Sequence, residues 1–119
     1  MHPINLDDKL RQFGEYWSPK LVGQVNDVEI RLVKLLGEFV WHRHTYEDEL
    51  FLVLHGGLTM RFRDRDVVVG PGELIIVPRG VEHQPFAAEE THVLLVEPAS
   101  TVNTGDIRNE RTVVRPDRI

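Results

Sequence analysis

The chain has 119 residues, 41% of them hydrophobic and 28% charged, an ordinary globular balance that excludes global disorder and leaves no room for a second domain. A formal net charge of −5 at pH 7 disfavours nucleic acid as a partner, because phosphates need a basic face. The absence of Cys excludes disulfides, iron–sulfur clusters and thiol catalysis, and fits a reducing compartment.

The opening MHPINLDDKL lacks the basic start and apolar core of a signal peptide, and no apolar run approaches the roughly 18 residues of a membrane span. A cytoplasmic protein without a membrane partner is expected. A short amphipathic helix is predicted over 5–14. Asn5 caps it, Asp7 and Asp8 favour its dipole, Leu6, Leu10 and Phe13 share one face, and Gly14 ends it. After Pro19 the character changes to short apolar and β-branched segments. Strands are predicted over 20–25, 28–36, 39–46, 50–55, 58–63, 66–69, 73–77, 83–87 and 91–97. Turn signals separate them: Asn26-Asp27, Gly56-Gly57, Asp64-Arg65, Gly70-Pro71-Gly72 and Pro78-Arg79-Gly80.

Strands at this spacing predict an all-β sandwich or barrel with its core over about 21–97. In 58–63, Leu58, Met60 and Phe62 face inward while Thr59, Arg61 and Arg63 face out. The stretches 50–54 and 74–77 are apolar throughout, so both of their faces are expected to be covered, and a homodimer is the expected assembly. From Ala99 the chain turns polar and reads as an extended tail over 99–119.

Three of the six His, with one Glu, form a pattern. His42 and His44 are two apart in a predicted strand, so both rings leave one face. Glu49 starts the next strand, where antiparallel pairing carries its carboxylate to the same point. His83 follows the turn at Pro78-Arg79-Gly80 and reaches it from a later strand. Three imidazoles and one carboxylate suit one divalent ion (Fe, Mn, Ni, Zn or Cu) and leave a coordination position open for a ligand.

Gly37-x4-His42-x-His44-x4-Glu49-x6-Gly56 resembles the first signature motif of the cupin superfamily, and Gly72-x5-Pro78-x-Gly80-x2-His83 resembles the second. Two departures stand out. The family usually has five residues where four separate Gly37 from His42, and an Asn often closes the second motif where this chain has Ala87. The resemblance implies a double-stranded β-helix, the jelly-roll barrel, with metal held inside by His42, His44, Glu49 and His83. More narrowly, the chain is similar to small stand-alone cupins labelled sugar-phosphate-isomerase-like, a label that speaks of fold more than of activity.

The function so implied is a metal-dependent enzyme of dioxygenase or isomerase type acting on a small polar oxygenated molecule, with the metal as Lewis acid or oxygen-activating centre. The rival is a non-catalytic module that binds a small molecule or a metal. Tyr46, close to the ligands in sequence, is the candidate proton donor. Glu47 and Asp48 read as a solvated turn, and His55 and His92 as structural. Phe51, Met60 and Phe62 are candidates for the apolar wall of a ligand cavity.

Overall fold

A computed structural model describes all 119 residues. Helix α1 spans Leu6–Leu10, and the Asn5 side chain accepts the Asp8 N–H at 3.0 Å as an N-cap should. It stops at Arg11, short of the predicted Gly14, because the chain must turn there to lay Phe13 beside Leu10 on the sheet. These two residues pack with Val22 and Leu32 into a small cluster on the outside of the barrel.

The strands are β1 Lys20–Val25, β2 Val28–Glu38, β3 Glu49–His55, β4 Leu58–Arg61, β5 Asp66–Val69, β6 Leu74–Val77, β7 Gln84–Pro98 and β8 Asp117–Arg118. The longest, β7, is the spine. Along one edge it pairs antiparallel with β2, from Val28↔Pro98 to Glu38↔Phe86. Along the other it pairs with β3 through its C-terminal half and with β4 through its N-terminal half. Beyond these, β1 extends β2, β6 extends β3 and β5 extends β4. The branched sheet curls into a jelly-roll barrel. Its interior holds a 13-residue apolar cluster that includes Val33, Phe51, Val53, Leu58, Met60, Val93 and Leu95.

Two expectations need correction. Segment 39–46 is extended but is not a strand, since its one bridge is His42↔His83. The predicted strands 83–87 and 91–97 are one strand. Between the pairs Leu35↔Thr91 and Gly37↔Ala87, one residue of β2 faces three of β7, so Ala88, Glu89 and Glu90 bulge into solvent without ending the pairing. On the outer face of β6, Leu74 and Ile76 are each 55% exposed in the single chain, so neither the helix nor the tail supplies the second cover expected there. The two-residue strand β8 was not predicted; it runs parallel to the start of β1 and ties down the tail. No helix is long and apolar enough to cross a membrane.

Candidate metal centre

His42 and His83 face each other across a backbone bridge. His42 N–H donates to His83 O at 3.1 Å, and His83 N–H donates to His42 O at 2.9 Å. That pair of hydrogen bonds fixes the two Cα positions and brings the ring centroids to 4.3 Å. Each ring is then oriented by its own backbone. His42 Nδ1 lies 2.9 Å from Val40 O, and His83 Nδ1 lies 2.9 Å from Val81 O. A carbonyl only accepts, so each Nδ1 carries the proton and each Nε2 offers a lone pair. Glu49, the first residue of β3, and His44 complete the group. Ligand-capable atoms of all four lie within 4.8 Å of one another, and all four side chains are buried.

The hydrogen bonding leaves donor atoms of the quartet unpaired. Both ring nitrogens of His44, Nε2 of His83 and Oε1 of Glu49 are buried with no hydrogen-bond partner. His44 Nε2 comes within 3.1 Å of Glu49 Oε1, and His83 Nε2 within 3.7 Å, but neither pair is aligned for a bond. Buried polar atoms are rarely left this way, and three converging ones, one each from His44, Glu49 and His83, fit a bound ion.

Two of the quartet, His42 and Glu49, line an apolar cavity. Trp17, Val33, Leu35, Phe39, Phe51 and Leu95 form its walls, with His42 and Glu49 at one end. Asn103, from the tail, is the other polar lining residue.

A family model described as "Cupin domain" matches residues 32–97, which take in the whole quartet and more than half of the chain. The chain belongs to the cupin family. Among solved structures it is similar to a cupin-2 domain containing protein from Shewanella frigidimarina, with 44% identity over 80% of this chain and 93% of that one, at a TM-score of 0.79. It is also similar to protein NMB1881 from Neisseria meningitidis, with 32% identity over 82% of this chain and 99% of that one, at a TM-score of 0.75. A third relative is the uncharacterized protein YdbB of Bacillus subtilis, 36% identical over 77 residues, which is 64% of this chain and 68% of that one.

In this cupin the charges around the quartet are graded. Burial above all, with His83 second, pushes the His42 ring down to about 4, so it is neutral and ready to ligate at pH 7. Burial also pushes His44 down, but the adjacent Glu49 carboxylate outweighs it and the ring ends above its ordinary value. Behind Glu49 stands Glu97. It follows Val96 in β7 just as Glu49 precedes Leu50, which Val96 faces, so the same register sets the two carboxyls side by side. Burial first, then the Glu49 charge, hold Glu97 well above the usual carboxylate range. Burial raises Glu49 too, but the close approach of Glu97, His44 and His83 more than reverses this and keeps it ionised. Of the two, Glu49 holds the charge and Glu97 the proton.

Arg31 steadies this inner layer. Its guanidinium, 1% exposed, lies 3.1 Å from Glu97 and 2.7 Å from Glu29, and donates to the carbonyls of Ala99 and Thr101. The tail thus starts from an anchored base. It then crosses the quartet so closely that a Cβ on Gly105 would stand 2.2 Å from Arg43 O and 2.9 Å from His42 Cδ2. Asp106 N–H donates to Arg43 O at 3.0 Å, and Arg43 N–H returns a bond to the Asp106 carboxylate.

The sequence-predicted residues divide plainly. His42, His44, Glu49 and His83 come together, while Tyr46 does not join them. Its side chain is 81% exposed and lines an outer polar cleft that also touches His44, with Thr45, Glu47 and Asp106, away from the apolar cavity. Phe51 does line the cavity, whereas Met60 is sealed in the core and Phe62 faces another cleft beside Arg63. His55 stacks loosely on His92, which pairs with Glu90 on the surface. Glu97, Arg31, Trp17 and Gly105 were missed. For Glu97 a signal existed, since it alternates with Val93 and Leu95 and so had to point inward.

Proposed function

We propose that this cupin is a metal-dependent enzyme that binds one divalent ion through His42, His44, Glu49 and His83 and acts on a small oxygenated molecule. The observation that carries the reading is the convergence of buried, unpartnered donor atoms beside an apolar cavity. Bound there, an ion supplies a Lewis acid for a ligand oxygen or, if it is iron, a centre for oxygen chemistry; dioxygenase and isomerase are therefore the two reaction types proposed. The chain's own residues fix the neutral tautomers of His42 and His83, keep Glu49 ionised through Glu97, and exclude water with Trp17 and Phe39.

The second reading, a non-catalytic binding module, draws on one observation. Apart from the ligands themselves, Asn103 is the only polar side chain lining the cavity, and it is neither acid nor base. A homodimer belongs to the proposal, with a second copy covering Leu74 and Ile76 on β6, an edge strand that pairs only with β3. So does action inside the cell.

The test is metal content, measured by mass spectrometry on untagged protein, with His42→Ala alongside. About one equivalent in the wild type that disappears in the variant supports the metal reading. Below a tenth of an equivalent after incubation with each of Fe, Mn, Ni, Zn and Cu, the metal reading falls.

A further inference from the structure

The walls of the cavity say more about the ligand than the quartet does. Six apolar side chains line it and no Lys or Arg does. The second negative charge of a phosphate monoester, which an oxo acid lacks, would find no Lys or Arg there, and the hydroxyls of a sugar would find only Asn103 to bond. Of the cavity's empty space, about 30 Å³ admits the centre of a water molecule, so the occupant is compact.

One wall is held against its own preference. Trp17 has φ +61°, a left-handed conformation that a bulky residue avoids at a cost of about 1–3 kcal/mol. Its surroundings enforce it. Trp17 N–H donates to Lys34 O at 2.8 Å and the indole N–H donates to Leu36 O at 2.9 Å. Asn103 donates to Trp17 O at 3.3 Å, and the indole stacks on Phe39 with centroids 4.7 Å apart. Strain enforced from several sides marks a residue whose position matters.

We propose that the cavity takes a short oxygenated molecule with an apolar body, of the branched aliphatic 2-oxo acid or diketone class, and rejects phosphorylated sugars. The oxygen head lies at the His42 and Glu49 end, and the alkyl body lies against Trp17, Phe39 and Leu95. The placement of the head rests on the metal reading above; the choice of body rests on the walls alone.

The experiment is a titration series followed by calorimetry, with pyruvate, 2-oxobutanoate, 3-methyl-2-oxobutanoate and D-ribose 5-phosphate as probes, on metal-loaded and chelator-treated protein. Each added carbon should tighten binding about fourfold, as burial of one methylene does, and ribose 5-phosphate should bind more weakly than all three oxo acids. Trp17→Ala should flatten the series. Should that variant fail to fold, Val33→Thr, nearly isosteric but polar, serves in its place. Removing the metal should weaken every oxo acid and leave the increment per carbon intact. Failure to load metal would therefore sink the metal reading while the increment stood. A flat series on folded wild-type protein, or ribose 5-phosphate binding more tightly than 3-methyl-2-oxobutanoate, would overturn the inference.

Discussion

Gly105→Ala is the sharpest test of how the tail serves the quartet. The new Cβ would stand 2.2 Å from Arg43 O and 2.9 Å from both Arg43 C and His42 Cδ2, all well inside van der Waals contact. Two of these are backbone atoms and cannot swing aside, so either the tail lifts or the 42–43 segment sinks. The left-handed φ of +58° costs alanine about 1–2 kcal/mol and the overpacking about 1–3 kcal/mol more. A total of ~3 kcal/mol lowers Tm by roughly 10 °C in a chain of this size. Displacing the support of a ligand should also weaken metal binding by about 10–100-fold. Competition against a chelator, with melting followed by circular dichroism, measures both. Gly56→Ala is the matched control. Gly56 has φ +87° and its Cβ would meet Thr91 Oγ1 at 2.5 Å, on a turn that holds none of the four ligands. It should lose similar stability and keep its metal affinity. If Gly105→Ala melts lower yet holds metal as tightly as wild type, or if Gly56→Ala loses affinity in parallel, the tail does not position His42.

Arg31→Met should destabilise the fold by about 3–5 kcal/mol in urea unfolding, because the Glu29 carboxylate stays buried without its cation and the carbonyls of Ala99 and Thr101 lose their donor; a loss under about 1 kcal/mol refutes this account of the layer. The His42 ring titrates near 4 in the folded metal-free protein and near 6.5 unfolded, so below 6.5 the unfolded chain takes up a proton that the native state refuses. Stability should thus fall between pH 6.5 and 4 by up to about 3 kcal/mol from this group. His44, raised when folded, acts in the opposite sense: its contribution is present below 6.5 and lost as pH rises through its folded value. Urea unfolding of chelator-treated protein at several pH values, with His42→Phe as reference, checks the sign; parallel curves for the two proteins refute it. Ile76→Lys should convert the proposed dimer to monomer in sedimentation, and a wild type that runs only at 13.7 kDa at micromolar concentration removes the dimer altogether.

The quartet was legible because each member is placed by local rules: two His of the same parity, a Glu at the head of an apolar strand, and a His after a Pro-Arg-Gly turn. Alternation along 58–63 and the Asn5 cap were legible for the same reason. Where reading failed, the cause was distance along the chain. Ala88-Glu89-Glu90 has the polarity of a loop, and only pairing with β2 on one side and with β3 and β4 on the other carries β7 through it. Trp17 becomes a cavity wall only because Lys34, Leu36, Phe39 and Asn103 hold it there. Gly105 meets His42 across 63 residues, and its own sequence neighbours, Thr104 and Asp106, read as an ordinary polar loop.

The position of β7 in the chain also bears on how the barrel is assembled. The hairpins β1–β2 and β4–β5 can each form locally, but β2, β3 and β4 meet one another only through β7, which is made nearly last. During synthesis the N-terminal two-thirds of the protein must wait as separate ribbons with open edges, a state of high aggregation risk. Closure is then one late event built on contacts far apart in sequence, which places this chain among the slower two-state folders. The donors of the quartet, scattered from His42 to His83, gather only at that step, so an ion bound by all four would be drawn from whatever surrounds the chain at the end of folding.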